Sequence, residues 1–254
     1  MELTSFTLST LNSLDDHQLS QIRHLDLSDS HFTELPPEFS RLTGLTSLNL
    51  SSTYLYKLPA EVLELSQLEE LDVSKNRLST LPPEIGNLAE LRLLELSQNQ
   101  ISAMPSEIGD LANLRSLDLD FNRLTTLPPE IGRLKQLTYL FIDGNGLTTL
   151  PAEIGNLAEL KKLHLSYNLL TTLPAEIGNL AKLKILFVCD NPLATVPPEI
   201  GNLVELEMLY FNDTQLTTLP AEIVSLKKLE QLFVPSLTDV PDEIRNLKAF
   251  ADYN

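Results

Sequence analysis

The chain of 254 residues has no tryptophan, a single cysteine and no long apolar run. The lone Cys189 excludes a disulfide framework and favours a reducing compartment. No stretch of about 18 apolar residues is present, so the sequence predicts no membrane-spanning helix. The first residues have neither the basic segment nor the continuous apolar segment of a signal peptide. We therefore expect a cytoplasmic protein, and secretion into a host by a route that uses no signal peptide stays open.

Basic residues are also scarce, since 18 Lys and Arg stand against 35 Asp and Glu, giving a net charge of −17. This charge opposes binding to nucleic acid or to an anionic membrane, because Lys and Arg must neutralise phosphates there. Part of the acidity has a structural explanation, since one Glu recurs two residues after a Pro, where it suits the positive end of a helix. These residues are Glu38, Glu61, Glu84, Glu107, Glu130, Glu153, Glu176, Glu199, Glu222 and Glu243. We expect no nucleic-acid and no membrane partner.

The sequence repeats every 23 residues, nine times, over residues 22–228. The copies start at Ile22, Leu45, Leu68, Leu91, Leu114, Leu137, Leu160, Leu183 and Leu206. Counted from these residues, positions 1, 4, 6, 11, 14, 18 and 21 are almost always apolar. A fixed period of this length is typical of a solenoid, in which each unit packs only on its neighbours. Functional specificity can therefore lie only at the positions that vary.

Each repeat divides into a strand half and a helical half. Positions 3–7 alternate polar and apolar residues, as in residues 116–120, which predicts a short strand with one buried face. Position 9 is often Asn, whose side chain can bond to backbone groups and form a ladder through the stack. These residues are Asn76, Asn99, Asn122, Asn145, Asn168 and Asn191. The second half opens with a Pro, which suits the first helical position, and carries a Gly that permits a tight return.

Residues 91–111 follow the patterns L-x-x-L-x-L-x-x-N-x-L and L-P-x-E-I-G-x-L, with Ile101 and Met104 in place of one Leu in each. They resemble the leucine-rich repeat family, in the intracellular 23-residue class of Ras-pathway scaffolds, plant Ras-group proteins and many bacterial proteins. The resemblance covers most of the chain. It implies an α/β fold, a right-handed leucine-rich repeat solenoid (horseshoe) with a parallel β-sheet on the concave face and short helical turns on the convex face. It also implies protein recognition, usually on the concave face.

The repeat pattern weakens at both ends of the chain. We predict an N-terminal helical cap at residues 1–21, nine repeats at 22–228, and a shortened tenth repeat with a C-terminal cap at 229–254. The apolar residues of the N-terminal cap are Leu8, Leu11, Leu14 and Leu19. Terminal repeats are expected to be atypical because they close the core. Pro235 follows the last predicted strand, where it would blunt an exposed sheet edge.

The residues at the varying positions of the concave strands differ in type between the first and second halves of the chain. Position 5 is polar and mostly acidic in the first five copies, and it is aromatic or His in the later ones: Phe141, His164, Phe187, Tyr210 and Phe233. Positions 3 and 8 add Phe121, Tyr139, Tyr167, Ile185 and Met208. Parallel strands lie about 4.8 Å apart, so position 5 alone predicts a stripe about 20 Å long. Asp118, Asp120 and Asp143 border it. We predict a partner-binding surface for a protein with an apolar centre and a basic flank.

Other interpretations of the stripe stay open. Exposed aromatic residues can reflect drift on a rigid stack. The stripe could also bury against a second copy or against a terminal segment, and we expect a monomer or weak self-association. A glycan or another small ligand could stack on the same aromatic platform. The chain could also be the sensing segment of a larger signalling protein.

The sequence offers little catalytic chemistry. His164 and Cys189 lie one repeat apart, but no helix N-terminus or cationic cluster lowers the pKa of the thiol. His24 and Asp26 lack further ligands at metal-binding spacing. The recurring Gly-Asn pairs are turn residues and not a phosphate-binding loop. We therefore predict no catalytic residue, cofactor or metal site, and a non-enzymatic interaction scaffold whose rigid surface loses little entropy on binding.

Overall fold

The computed structural model describes residues 2–3, 13–235, 237–238, 242–245, 247 and 250–252. In this part of the chain one sheet contains twelve parallel strands, which pair in chain order. The strands are Glu2–Leu3 (β1), His24–Asp26 (β2), Ser47–Asn49 (β3), Glu70–Asp72 (β4), Leu93–Glu95 (β5), Ser116–Asp118 (β6), Tyr139–Phe141 (β7), Lys162–His164 (β8), Ile185–Phe187 (β9), Met208–Tyr210 (β10), Gln231–Val234 (β11) and Phe250–Asp252 (β12).

Short helical turns connect successive strands. Most are 3-10 helices: Pro37–Arg41, Pro83–Asn87, Ser106–Asp110, Pro129–Arg133, Ala152–Asn156, Ala175–Asn179, Pro198–Asn202 and Ala221–Ser225. In the part of the chain that the structure describes, three are α-helical: Asp16–Ser20 (α1), Ala60–Leu63 (α2) and Asp242–Arg245 (α3). None of the helices in the described residues has the length and apolar character that a bilayer crossing requires. The predicted solenoid of parallel strands and helical turns is confirmed.

The core lies between the sheet and the helical turns. Along a typical strand, Leu117 is buried while its neighbours Ser116 and Asp118 are half-buried. Leu114 and Leu119 are also fully buried, and each repeat adds an equivalent set to one continuous core. Because side chains alternate along a strand, positions 3 and 5 lie on the opposite side of the sheet. We call this side the strand face.

The predicted asparagine ladder is confirmed. The side-chain nitrogen of Asn122 donates to the carbonyls of Leu96, 3.0 Å away in the preceding repeat, and of Leu119, 3.1 Å away in its own repeat. Its side-chain oxygen accepts the backbone N–H of Ile101 at 3.0 Å. The Asn side chains thereby satisfy loop backbone that is buried between repeats.

The predicted role of the repeated glycine is wrong. Gly132 does not have the left-handed backbone conformation that a turn glycine adopts. An added Cβ atom there would lie 2.5 Å from the carbonyl oxygen of Glu153 in the next repeat. Gly109 and Gly155 have the same close neighbour in their following repeats. The glycine therefore allows successive 3-10 helices to approach closely. The recurrent proline is also displaced from its predicted place, since Pro128 precedes the first helical residue.

The chain ends extend the sheet beyond the repeats. Leu19 of α1 is fully buried and Leu14 packs against the core, whereas Leu8 and Leu11 lie outside the described residues. Strand β1 pairs with β2, so the sheet begins before the first repeat. Strand β12 pairs with β11. The prediction that Pro235 blunts the sheet edge is therefore wrong, because β11 is an internal strand.

Candidate partner-binding surface

The position-5 rings form an unbroken row of contacting rings across five strands. Ring centroids are 4.9 Å apart between Phe141 and His164 and 4.6 Å apart between His164 and Phe187. Phe187 lies 4.4 Å from Tyr210, which lies 4.7 Å from Phe233. All five side chains are half-buried on the strand face and stand outside the core. We call these five residues the aromatic stripe.

Position 3 widens the stripe on one side. Tyr139 lies 6.4 Å from Phe141, ring to ring, and the ammonium of Lys162 lies 5.6 Å from the centre of the Tyr139 ring. Ile185 and Met208, at position 3 of β9 and β10, are half-buried. The structure thus places all the predicted position-3 and position-5 residues on one surface.

Position 8 lies at the far end of the strands, where the chain turns. Phe121 and Tyr167 are exposed, with 54% and 59% of their surfaces accessible, and both have positive φ. The Phe121 ring covers Gly144, because an added Cβ on this glycine would lie 2.5 Å from the ring. Leu169, which we did not predict, is 54% exposed in the same repeat as Tyr167. We call Phe121, Tyr167 and Leu169 the rim. Among the described residues, no ring contact joins Phe121 or Tyr167 to the aromatic stripe.

Of the predicted acidic residues, Asp118 pairs with Phe141 at position 5, and the other two lie between the positions of the stripe and the rim. Asp120 and Asp143 occupy position 7, and each accepts the backbone N–H of position 7 in the next repeat. The distance is 2.6 Å from the Asp143 nitrogen to Asp120 Oδ1 and 2.6 Å from the Ser166 nitrogen to Asp143 Oδ1. Asp118, on β6, accepts the N–H of Asp120 at 2.8 Å. The three carboxyl groups form a connected row along consecutive repeats.

Burial and mutual repulsion disfavour the charged forms in this row. Burial, with the charge of Asp118 next to it, raises the pKa of Asp120 to about 7. Burial raises the pKa of Asp143 to about 6, and it also raises the pKa of Asp118. Burial and Lys162 lower the pKa of His164 to about 4. The 3.8 Å contact between His164 Nδ1 and Asp143 Oδ2 therefore joins a neutral imidazole to a carboxyl group at neutral pH.

The Cys–His pair has no sign of activation. Burial raises the pKa of the Cys189 thiol, which keeps it protonated, and its sulfur lies 3.8 Å from Asn212 Oδ1. His24 is exposed on the strand face. Within the described residues, no three His, Cys, Asp or Glu side chains are grouped in a way that could hold a metal ion.

A second aromatic cluster occupies the early repeats. His31 stacks on Tyr54 with ring centroids 5.2 Å apart, and the Arg77 guanidinium lies 4.9 Å from the Tyr54 ring. Arg77 also donates to the Tyr56 hydroxyl at 2.6 Å. We did not predict this cluster, although position 10 read through the first three copies would have indicated it. Each face of Tyr54 has a neighbour within the chain, so the cluster stabilises itself.

Comparison with known proteins agrees with this architecture. The family model for the leucine-rich repeat region matches residues 2–89, 79–186 and 171–252. The chain therefore belongs to the leucine-rich repeat family. No curated protein matches it significantly.

Solved structures of the same fold come from bacteria and plants. The leucine-rich repeat protein LIC12759 of Leptospira interrogans is 39% identical, with a TM-score of 0.82, over 86% of this chain and 56% of that one. The ectodomain of the receptor kinase GASSHO1/SCHENGEN3 of Arabidopsis thaliana, in complex with CASPARIAN STRIP INTEGRITY FACTOR 2, is 31% identical, with a TM-score of 0.78, over 91% and 29%. The plant peptide hormone receptor RGFR1, in complex with RGF2, is 28% identical, with a TM-score of 0.69, over 92% and 44%. The chain thus spans about half the length of these proteins, or less.

Proposed function

We propose that the chain is a non-enzymatic scaffold that binds a protein partner through the aromatic stripe. The observation that carries the proposal is the change at position 5 of the repeat. This position is polar in the first five strands of the repeat array, and from β7 to β11 it presents a ring in every strand. The repeat does not require these rings, because β2 to β6 pair in the same register with Asp, Asn or Glu at that position.

The physical character of the stripe supports this proposal. Its rings support one another through contacts of 4.4–4.9 Å, so little side-chain freedom remains to be lost on binding. Aromatic side chains on a rigid surface are typical anchors of protein interfaces. A contiguous patch of half-buried rings, with Tyr139, Ile185 and Met208 at its side, is the kind of surface that marks an interaction site.

Solved structures of the same fold add indirect support. GASSHO1/SCHENGEN3 and RGFR1 were solved in complex with CASPARIAN STRIP INTEGRITY FACTOR 2 and RGF2, respectively. A leucine-rich repeat array of this architecture can therefore present a surface to a peptide or protein. For this chain we propose only the same class of partner, a peptide or protein, and not the partners of those receptors.

The surroundings of the stripe define the partner further. Asp118, Asp120 and Asp143 favour a partner whose apolar centre adjoins a basic flank. The net charge of −17 supports a protein partner over nucleic acid or an anionic membrane. We also propose a cytoplasmic location and a monomer or weakly associating chain.

A capture experiment with two double variants tests the function. The stripe variant, Phe141→Ser with Phe187→Ser, removes two rings from the stripe. The early-repeat variant, Glu70→Ser with Glu95→Ser, replaces the same number of strand-face residues in the early repeats. We expect the wild type and the early-repeat variant to retain the same proteins from a lysate, and the stripe variant to retain at least about tenfold less. Equal retention by a stripe variant with an unchanged circular dichroism spectrum would contradict the proposal. Retention on glycans alone would also contradict it.

A further inference from the structure

The carboxyl groups of Asp120 and Asp143 lie at position 7, and we call this acidic line, with the apolar rows of positions 5 and 8 on its two sides, the furrow. On one side is the aromatic stripe, with Phe141 and His164 at position 5 of consecutive repeats. On the other side is the rim, with the exposed rings of Phe121 and Tyr167 at position 8. Position 7, where both Asp residues lie, stands between positions 5 and 8 along the chain. The surface therefore has acidic groups at its centre and rings on both flanks.

Among the described residues, these acids have no cation beside them, in contrast to four acids that form ion pairs between neighbouring repeats. Other repeats pair an acid with a cation of the neighbouring repeat: Glu69 with Arg92 at 3.0 Å, Glu159 with Lys182 at 2.6 Å, Glu205 with Lys228 at 2.6 Å and Glu207 with Lys184 at 2.6 Å. Within the described residues, no Lys or Arg forms an ion pair with Asp118, Asp120 or Asp143. The furrow thus offers carboxyl groups that have no cation of their own.

The carboxyl groups are held in place before any partner arrives. Asp120 Oδ1 is fixed by the N–H of Asp143, and Asp143 Oδ1 is fixed by the N–H of Ser166. Each group has a second oxygen, and that of Asp143 lies 3.8 Å from the neutral His164. Preorganised acceptors beside aromatic rings match a guanidinium, which bonds to carboxylates in its plane and stacks on rings with its faces.

We infer that the furrow between the aromatic stripe and the rim receives an arginine side chain of the protein partner, with apolar neighbours of that arginine covering Phe121 and Phe141. The inference rests on the proposed function and refines it, because it places the basic group at the centre of the interface rather than at its flank. Charge complementarity selects the occupant. Arginine also suits the rings, because its apolar stem can lie along them while its head reaches the carboxylates.

A random peptide library displayed on phage, selected on the whole chain, tests the inference. Counter-selection on the Phe141→Ser/Phe187→Ser variant leaves the peptides that depend on the stripe. We expect these peptides to be enriched in an arginine flanked by apolar residues. Replacing that arginine with citrulline, its uncharged analogue, should weaken binding to the wild type at least about tenfold.

Two further double variants identify the acids responsible. Asp120→Asn with Asp143→Asn removes the charge but keeps a side-chain oxygen that can accept the same N–H groups. This variant should bind the arginine peptide at least about tenfold more weakly and the citrulline peptide as the wild type does. Glu84→Gln with Glu130→Gln removes the same charge from the helical side and should leave binding unchanged.

The outcomes separate this inference from the proposed function. Stripe-dependent peptides without arginine enrichment, or arginine peptides that bind the Asp120→Asn/Asp143→Asn variant as well as the wild type, would overturn the inference and leave the function standing. Recovery of no stripe-dependent peptide would overturn both.

Discussion

The carboxylate of Asp120 accepts the backbone N–H of Asp143 at 2.6 Å, across the boundary between two repeats. In earlier repeats the N–H at position 7 bonds within its own repeat, as Ser74 does to Asp72 at 2.8 Å. Position 5 of the Asp143 repeat is Phe141, which offers no acceptor. The preceding repeat supplies one instead. The same arrangement recurs one repeat later, where position 5 is His164 and the N–H of Ser166 donates to Asp143 of the preceding repeat.

This relationship predicts different results for two substitutions of Asp120. Asp120→Ala leaves the Asp143 N–H in a half-buried site without its acceptor, and we expect a loss of about 1–3 kcal/mol in the free energy of unfolding. Asp120→Asn keeps an oxygen acceptor and removes a charge that burial disfavours, so its free energy of unfolding should match or exceed that of the wild type. Urea denaturation measures both variants. An equal loss in the two variants would show that the charge, and not the hydrogen bond, is what matters.

The same carboxyl groups predict how stability varies with pH. The pKa values of Asp120 and Asp143 are raised to about 7 and about 6, so their stabilising contribution is complete below the unfolded pKa of about 3.8 and is lost as pH rises through 6 and 7. His164, with its pKa lowered to about 4, acts in the opposite direction, and its contribution is lost as pH falls below about 6.5. Between about pH 6.5 and pH 8 the Asp contribution dominates.

Over that window we expect the free energy of unfolding to decrease as pH rises, by less than about 1 kcal/mol per pH unit once solvent screening is allowed for. Denaturant unfolding at several pH values measures the slope. The Asp120→Asn/Asp143→Asn variant should lose it, while Glu84→Gln with Glu130→Gln should keep it. An unchanged slope in the Asp double variant would assign the pH dependence to other groups.

Most of the fold was predictable because the repeat constrains it so strongly. The apolar residues at positions 4 and 6 of every copy can be buried only if the strands stack in register. The buried Leu94, Leu117 and Leu140, on neighbouring strands, show this register. The asparagine ladder was predictable for the same reason, since one polar side chain that recurs at a buried turn must bond to backbone there. The alignment of the position-5 rings follows directly from that register.

Contacts between copies were harder to predict. The sequence shows a Gly at position 19, but only the structure shows that the next helix approaches it. The role of Asp120 depends on the ring at Phe141 in the following repeat, and a single copy does not contain that relationship. Strands β1 and β12 lie outside the repeat, so no periodicity indicated their pairing. We did not predict Leu169 as a surface residue of the site, because position 10 holds a different type of residue in almost every copy.

The packing of successive helices predicts a large effect from one added methyl group. In Gly132→Ala the new Cβ would lie 2.5 Å from the Glu153 carbonyl oxygen and 2.8 Å from the Glu153 Cβ, and neither backbone can yield easily. We expect a loss of about 1–3 kcal/mol. Gly146→Ala is the matched control, because its Cβ would come no closer than 3.4 Å to Leu124 and should be neutral or slightly stabilising. Thermal and urea unfolding of both variants test this, and equal stability of the two variants would contradict it.

The asparagine ladder predicts a local and a global effect of removing one amide. Asn122→Ala leaves the N–H of Ile101 and the carbonyls of Leu96 and Leu119 without this partner, so the free energy of unfolding should fall by about 2–4 kcal/mol. Asn179→Ala, at an exposed position, should change it by less than about 0.5 kcal/mol. Hydrogen exchange adds a site-specific measurement, because the Ile101 amide should lose protection in the first variant only. If that amide stayed protected while stability fell, water or a rearranged loop would have replaced the Asn oxygen, and the ladder would not be what holds adjacent turns together.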